Sequence, residues 1–262
     1  MNSKSIPNKY EYLSWPEIKN TASKPRSTII WPFGAVEQHG PHLPLATDSI
    51  FVDEIVNEVF KLIPNEMPLK RMPTQLIGFS PEHSGFAGTL TLSSNLLISL
   101  IIEVGHQLSK MGFKRLILLN AHGGQISLLN TAARELRRGA PKLSVFPCFL
   151  WHGVAGLDDL LTQSELENGL HASLAETSLM MALNPELVGE ERPCEGILKN
   201  YPQGWSLEGN APIAWLTKDI SNSGVIGDSR GANEELGLQL KKLLVNHWYN
   251  MLLSLMSSDW PS

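Results

Sequence analysis

Short apolar runs alternate along this chain with segments whose apolar residues recur at helical spacing. Runs typical of buried strands cover 27–33, 69–77, 115–119 and 143–150. Segments of helical period cover 49–63, 93–111 and 125–138. This alternation is typical of βαβ units, in which parallel strands form one sheet with helices on its faces. We therefore expect an α/β fold with a mainly parallel central sheet, and one domain spanning residues 1–262.

The last third of the chain has a weaker pattern. Residues 194–228 are rich in Gly, Pro, Asn and Ser, which predicts long loops or short strands and not a separate domain. A final helix is expected over about 233–256.

Composition excludes several classes of protein. A hydrophobic fraction of 42% with 18% charged residues is that of a soluble globular protein, and no stretch approaches the roughly 20 apolar residues of a membrane span. A net charge of -5 without a Lys/Arg cluster argues against a nucleic-acid partner. Two cysteines cannot build a disulfide framework, and residues 1–7 lack the apolar core of a secretory signal. We expect a cytoplasmic protein with a small-molecule partner.

A dense polar cluster directly follows the first apolar run. Glu37 and His39 are two residues apart, so an extended segment would point both side chains to one face, and Asp48 returns just before the next helical segment. Ligand sites in open α/β sheets collect at such strand ends. Each residue alone has an ordinary explanation, as a solvated carboxylate, a core imidazole and a helix N-cap. Together they predict a metal site.

Two further clusters occupy similar positions. His122 follows the strand-like run 115–119. The glycines after His122 either permit close approach of a ligand or form a tight turn. The first alternative makes Gly123 a candidate for substrate contact. His171 and Glu176 open a helical segment, where the alternative is an ordinary helix start with Glu176 in the first turn.

Four more residues are candidates for lining a substrate pocket. Ser80, Glu82 and His83 follow a strand-like run, where the alternative is a surface turn with a capping serine. Trp151 follows the run that ends near residue 150, where an aromatic residue is otherwise ordinary core.

The ordered motifs resemble those of the creatininase, or creatinine amidohydrolase, family of metal-dependent hydrolases. The matching segments, which span roughly residues 10–250, are Gly34 to Leu45 with Thr47-Asp48, Phe86 to Leu92, Asn120 to Gly124, Glu176 to Ser178, and Gly224 to Asp228.

The resemblance implies a three-layer α/β/α fold, assembly as a homohexamer, and two divalent ions. Carried over by position, Glu37, Asp48 and His122 would bind one ion. His39, Asp48 and Glu176 would bind the other, with Asp48 shared. Creatininase itself has a further carboxylate two positions after the histidine matched by His122, where this chain has Gly124. That loss leaves Glu176 as the source of charge for the second ion, as a ligand or only as a base.

The ligand types indicate the chemistry. Imidazole nitrogen mixed with carboxylate oxygen suits Zn²⁺ or Mn²⁺. Two such ions lower the pKa of a bridging water and polarise a carbonyl, which suits hydrolysis of an amide C–N bond. His171, whose ordinary pKa lies near working pH, is the candidate acid/base that protonates the departing nitrogen.

Departures from creatininase concern the substrate. Gly123 and Glu167 stand where creatininase has a tyrosine and a tryptophan, so the aromatic enclosure for a flat cyclic guanidine is missing. We expect a small linear or cyclic amide other than creatinine. Two alternatives stay open: a phosphoester hydrolase and a non-catalytic metal-binding homologue. The absence of a phosphate-binding Gly-rich loop or paired arginines argues against the phosphoester hydrolase.

Overall fold

A parallel sheet organises the molecule. The computed structural model describes residues 8–197, 202–209 and 211–261. Within these residues the main sheet has four strands in the order β2-β1-β3-β4, all parallel. Their bounds are β1 Thr28–Phe33, β2 Leu69–Arg71, β3 Arg115–Asn120 and β4 Ser144–Phe149. The predicted parallel α/β architecture is confirmed.

Helices connect and flank these strands. The helices of the described ranges are α1 Trp15–Ala22, α2 Thr47–Leu62, α3 Ser94–Met111, α4 Ile126–Gly139, α5 Leu157–Leu160, α6 Gln163–Asn168, α7 Leu174–Leu183, α8 Thr217–Ile220 and α9 Glu234–Ser257. None of them is long and apolar enough to cross a membrane.

The two faces of the sheet are buried against different helices. Side chains alternate along a strand, so Ile29 and Trp31 of β1 pack with α1, α3 and α4 on one face. Ile30 of β1 and Ile117 of β3 pack with α2, α7 and α9 on the other. Both central strands are buried at every residue, which explains their nearly continuous apolar sequences. The result is the predicted three-layer α/β/α arrangement.

Helix ends follow local sequence signals. The Ser93 hydroxyl caps α3 by accepting a hydrogen bond from the backbone N–H of Leu96, and Gly112 ends α3 with a φ of 109°. The Asn233 side chain caps α9 in the same way through Leu236 N–H at 2.9 Å. These bounds confirm the helices expected over 93–111 and 233–256.

One strand is much shorter than its apolar run. The sequence suggested extended structure over 69–77, but β2 ends at Arg71. Pro73 explains the difference, because a proline lacks the N–H that a paired strand needs. The weakly periodic segment 194–228 contains, among its described residues, the two-residue strands β5 (Cys194–Glu195) and β6 (Gly227–Asp228), paired antiparallel.

Candidate metal centre

Strand register brings the predicted clusters to one edge of the sheet. Phe33, the last residue of β1, pairs with Asn120, the last residue of β3, so the loops that follow both strands leave side by side. Gly34 allows the first turn of α2 to lie against the end of β1, since a Cβ at this position would overlap the backbone of Ser49. Three segments that are distant in sequence therefore meet at the carboxyl edge.

Four predicted ligands form the floor of the site. Glu37, His39, Asp48 and His122 are all buried. His122 Nδ1 lies 3.1 Å from Glu37 Oε1 and 3.4 Å from Asp48 Oδ2, and His39 Nε2 lies 3.6 Å from Asp48 Oδ1. Asp48 lies in the first turn of α2, after the N-cap Ala46, so the alternative of an N-cap role for Asp48 is wrong.

His171 and Glu176 complete one side of this cluster. Both lie with His39 in a group whose potential ligand atoms are within 4.8 Å of one another. His171 is not on the helix itself: it forms a bridge to Ile226 three residues before α7 begins, and its ring lies 4.2 Å from that of His39. Between the two, Ala172 has a left-handed φ of 52°, and its N–H donates to Glu176 Oε2 at 2.7 Å. An alanine in this strained conformation fixes the Glu176 carboxylate.

The structure also brings His83 to the centre of the cluster. Its Nε2 lies 3.4 Å from Glu37 Oε1, and its ring stacks on His171 with a centroid distance of 4.1 Å. Gln38 Nε2 and Thr217 Oγ1 both lie 2.8 Å from His83 Nδ1. An amide nitrogen only donates, so this network assigns the ring proton of His83 to Nε2, facing Glu37.

The other predicted pocket residues lie in different environments. Glu82 contacts His122, with Oε1 2.9 Å from Nε2. Ser80 is buried, and among the described residues its hydroxyl has no hydrogen-bond partner. A Cβ at Gly123 would meet no atom within 4 Å, so this position borders open space. Trp151 packs edge-on against Phe51 of α2 at 6.3 Å, and its contact with a substrate stays a prediction.

Unpaired buried atoms make the floor of the site able to hold a cation. Within residues 8–197, both carboxylate oxygens of Glu37, Asp48 Oδ2 and His39 Nε2 are buried without a hydrogen-bond partner. Burying such groups unpaired is costly, and most buried polar groups are paired. His39 Nδ1 lies 3.2 Å from the carbonyl oxygen of Glu37, so Nε2 is the ring nitrogen that can face a cation. Imidazole and carboxylate donors of this kind fit a divalent ion such as Zn²⁺ or Mn²⁺.

The pKa values show how the cluster holds protons when no cation is bound. Burial raises the pKa of Glu37, and it raises that of Glu176 to about 7. Burial alone would lower the pKa of His39, but the Asp48 carboxylate outweighs it and the pKa rises to about 9. Burial and neighbouring imidazoles lower the pKa of His171 well below its ordinary value. Protons on His39 and His122 therefore balance the negative charge of the carboxylates in the cation-free protein. A bound cation would replace these protons.

Two residues that position His83 are not among the candidates that the sequence offers. Gln38 donates to the Gly224 carbonyl at 3.0 Å and accepts from Gly40 N–H at 2.9 Å, which fixes its amide against His83. Its place between Glu37 and His39 was a usable signal. Thr217, in the weakly periodic segment, had no such signal, because only the fold brings its hydroxyl to His83.

Comparison with known proteins agrees with the fold and the motifs. The Creatininase family model, described as creatinine amidohydrolase, matches residues 11–252. A mycofactocin precursor peptide peptidase of Mycobacterium tuberculosis (strain CDC 1551 / Oshkosh) is 28% identical over 233 residues, which are 84% of this chain and 82% of that protein. A creatinine amidohydrolase of Pseudomonas putida is 29% identical over 206 residues, covering 72% and 77%.

A solved structure shares the architecture. A structure described as "Creatininase Mn" superimposes with a TM-score of 0.74 at 21% identity, covering 97% of this chain and 99% of that chain. At this identity the likeness concerns the fold. With the family model matching nearly the whole length, the chain belongs to the creatininase family of amidohydrolases.

Proposed function

We propose that this protein is a dinuclear metal-dependent amidohydrolase that cleaves a C–N amide bond of a small linear or cyclic amide other than creatinine. The observation that carries the proposal is the set of buried, unpaired ligand atoms on Glu37, His39 and Asp48, with potential ligand atoms within 4.8 Å of one another.

Two overlapping ligand sets carry the proposal. Glu37, Asp48 and His122 would hold one Zn²⁺ or Mn²⁺ ion, since His122 Nδ1 lies within 3.4 Å of both carboxylates. His39, Asp48 and Glu176 would hold a second, since His39 lies close to each of the two carboxylates. Asp48 faces both sets, because His39 lies at Oδ1 and His122 at Oδ2. Bound ions at such a site would polarise the amide carbonyl and supply a water activated near neutral pH.

His171 is suited to proton transfer. Its Nε2 lies 2.7 Å from the carbonyl oxygen of Gln38, to which only a protonated nitrogen can donate. The Nδ1 lone pair therefore faces the cluster, 3.9 Å from Glu37 Oε1. In the cation-free protein the lowered pKa of His171 keeps the ring neutral, so Nδ1 carries no proton. His171 would accept a proton at Nδ1 and then return it to the departing nitrogen.

The His171→Ala variant tests this role against that of a metal ligand. The potential ligand atoms of His171 lie within 4.8 Å of those of His39 and Glu176, and likewise of those of Glu37 and His83. We expect wild-type metal content and turnover lowered by roughly 100-fold or more. A variant that loses one ion per chain would make His171 a ligand, and a variant with unchanged turnover would exclude both roles.

Local shape supports a substrate unlike creatinine. Gly123 leaves space open beside His122, and Glu167 is an exposed residue of α6. The relatives' names, a peptide peptidase and a creatinine amidohydrolase, both denote cleavage of amide-type C–N bonds but differ greatly in substrate size. We further propose one catalytic domain over 1–262, a homohexamer, and a cytoplasmic setting in which the free Cys148 and Cys194 stay reduced.

Metal analysis followed by a substrate panel tests the function. Protein dialysed with Zn²⁺ or Mn²⁺ is expected to retain two ions per chain. From a panel of lactams, cyclic ureas, formamides, short peptides and phosphodiesters, it is expected to hydrolyse members of the amide classes. The metal-free protein is the matched control. Cleavage confined to phosphodiesters, or metal binding without turnover of any compound, would contradict the proposal.

A further inference from the structure

The side chain of Glu82 fills the space beside Gly124. A Cβ at Gly124 would overlap Glu82 Oε1 and lie 2.6 Å from His122 Nε2. Gly124 is the position at which the resemblance to creatininase would place a carboxylate. In this chain a carboxylate from another segment occupies the place that the Cβ of a side chain at position 124 would take.

A short, well-anchored turn holds Glu82 there. Residues Pro81–His83 form a single 3-10 turn that starts with a proline, whose fixed φ suits the first helical position. His83, the next residue, is anchored by Gln38 and Thr217 at 2.8 Å each. Glu82 itself has a side chain that is only 12% exposed. Its position is therefore set by the backbone and a buried neighbour.

The contact with His122 has a defined direction. Glu82 Oε1 lies 2.9 Å from Nε2, on the side of the ring opposite Nδ1, which faces Glu37 and Asp48. The distance is that of a hydrogen bond, but the carboxylate lies off the N–H axis, so the geometry is that of an ion pair. Contacts of this kind often align only when the site is loaded.

We propose that Glu82 is a positioning residue for His122, and that it supports the metal centre from the volume that Gly124 leaves free. This inference rests on the proposed function. By accepting the proton of Nε2–H, Glu82 fixes the tautomer that offers the Nδ1 lone pair to a cation between Glu37 and Asp48. Carboxylate partners of this kind orient a ligating histidine and raise its basicity. A side chain at position 124 and Glu82 cannot occupy this space together.

Zn²⁺ affinity of the full chain, measured by competition with a chelator, tests the inference without reference to turnover. For Glu82→Ala we expect affinity 10- to 100-fold below wild type, as is typical when such a partner is lost. Glu82→Gln keeps an oxygen that can accept from Nε2–H and should recover most of the loss. Glu103→Ala, at an exposed glutamate of α3, is the matched control and should bind like wild type.

The Gly124→Ala variant tests the shared volume. Its methyl group should displace Glu82 and weaken Zn²⁺ affinity about as much as Glu82→Ala does. The double variant should then bind no more weakly than either single variant, because both changes remove the same contact. In the Zn²⁺-loaded wild type we also expect a slowly exchanging imidazole N–H proton of His122, absent in Glu82→Ala.

The outcomes separate this inference from the function on which it rests. A wild type that binds no Zn²⁺ would overturn the proposed metal centre itself. Wild-type binding with an unchanged affinity in Glu82→Ala would overturn the role of Glu82 alone. So would a Glu82→Gln variant as weak as Glu82→Ala, because the carboxylate charge and not an acceptor for Nε2–H would then be decisive.

Discussion

Helix α2 contributes to two clusters of polar side chains, and these clusters differ in how far their own members satisfy them. Asp48, in its first turn, faces His39 and His122 in the metal centre, where several buried atoms lack hydrogen-bond partners. Asp53, further along the same helix, faces Arg71, which donates to it at 2.5 Å. We call this second group, formed by Asp53, Asn57, Arg71 and Thr74, the Arg71 cluster.

The polar groups of the Arg71 cluster find their hydrogen-bond partners within the cluster. Asp53 Oδ1 accepts from Arg71 and from Thr74 at 2.6 Å, while Oδ2 accepts from Asn57 at 3.0 Å. Burial alone would raise the pKa of Asp53, but these hydrogen bonds outweigh it and the pKa is lowered. The comparison shows that buried charge by itself does not indicate function. Buried ligand atoms left without partners do, because their cost is recovered only when something binds.

The largest expected effect is on cation binding. Asp48→Asn removes the residue shared by both ligand sets, so Zn²⁺ affinity should fall by more than the roughly 100-fold that is typical for loss of an outer partner. Chelator competition measures this change. Asp53→Asn, on the same helix, is the control and should bind within about twofold of wild type. If Asp48→Asn still retained two ions per chain, the proposed difference between Asp48 and Asp53 in cation binding would be wrong.

The next effect is on folding stability. Here Asp53, which was the control for cation binding, is the residue whose loss matters. Asp53→Ala leaves the Arg71 side chain, which is only 3% exposed, without its carboxylate. We expect the free energy of unfolding to fall by about 3 kcal/mol, the lower end for a broken buried ion pair, since Asp53 is itself part-exposed. Urea denaturation measures it, with Asp159→Ala at an exposed position of α5 as control. A loss below about 1 kcal/mol would show that this pair is screened.

A smaller effect is the pH dependence of cation affinity. In the cation-free protein the pKa of His39 is raised to about 9 and that of His122 is raised as well, so a cation must displace protons at neutral pH. Fewer protons remain as pH rises, so Zn²⁺ affinity should increase from pH 6 to 8, by about tenfold per unit for each proton displaced. Calorimetry in buffers of different ionisation enthalpy counts these protons. An affinity that is flat over this range would contradict the pKa directions.

The smallest effect concerns the stability of the cation-free protein. The pKa of Glu176 is raised to about 7 in the folded state, so the folded state binds the proton more tightly than the unfolded state does. The stability from this group is complete below about pH 4.5 and is lost as pH rises through 7. The free energy of unfolding of Glu176→Gln should therefore increase relative to that of wild type between pH 5 and 8, by on the order of 2 kcal/mol. Thermal unfolding at several pH values, without metal, measures the difference, and a difference that shrinks with rising pH would be the wrong sign.

The fold was largely predictable because its signals are local. Buried parallel strands carry continuous apolar runs, such as Arg115–Asn120 in β3, and α3 is bounded by Ser93 and Gly112. The length of β2 was overestimated because the effect of Pro73 on pairing was not weighed. The ligand types of the metal centre were also visible, since Glu37, His39 and Asp48 are dense in one motif. Their roles as ligands stay predictions until a metal is measured.

Contacts between distant segments could not be predicted. Glu82 and His83 were expected at a substrate pocket, but nothing in their local sequence showed that one contacts His122 and the other Glu37. The same holds for Thr217, which reaches His83 across 134 positions. Such contacts depend on how loops pack above the sheet edge, and no periodicity encodes that packing.

The sequence by itself determined the strands, the helices and the chemical types of the ligands, because backbone propensity and side-chain chemistry belong to each residue and its neighbours. Only the tertiary structure decided which buried charged groups have hydrogen-bond partners, as Arg71 does, and which lack them, as Glu37 does. It also decided that the empty side-chain position of Gly124 is filled by Glu82. Burial and hydrogen-bond partners are relations between segments, so they exist only once the sheet has aligned the ends of β1 and β3.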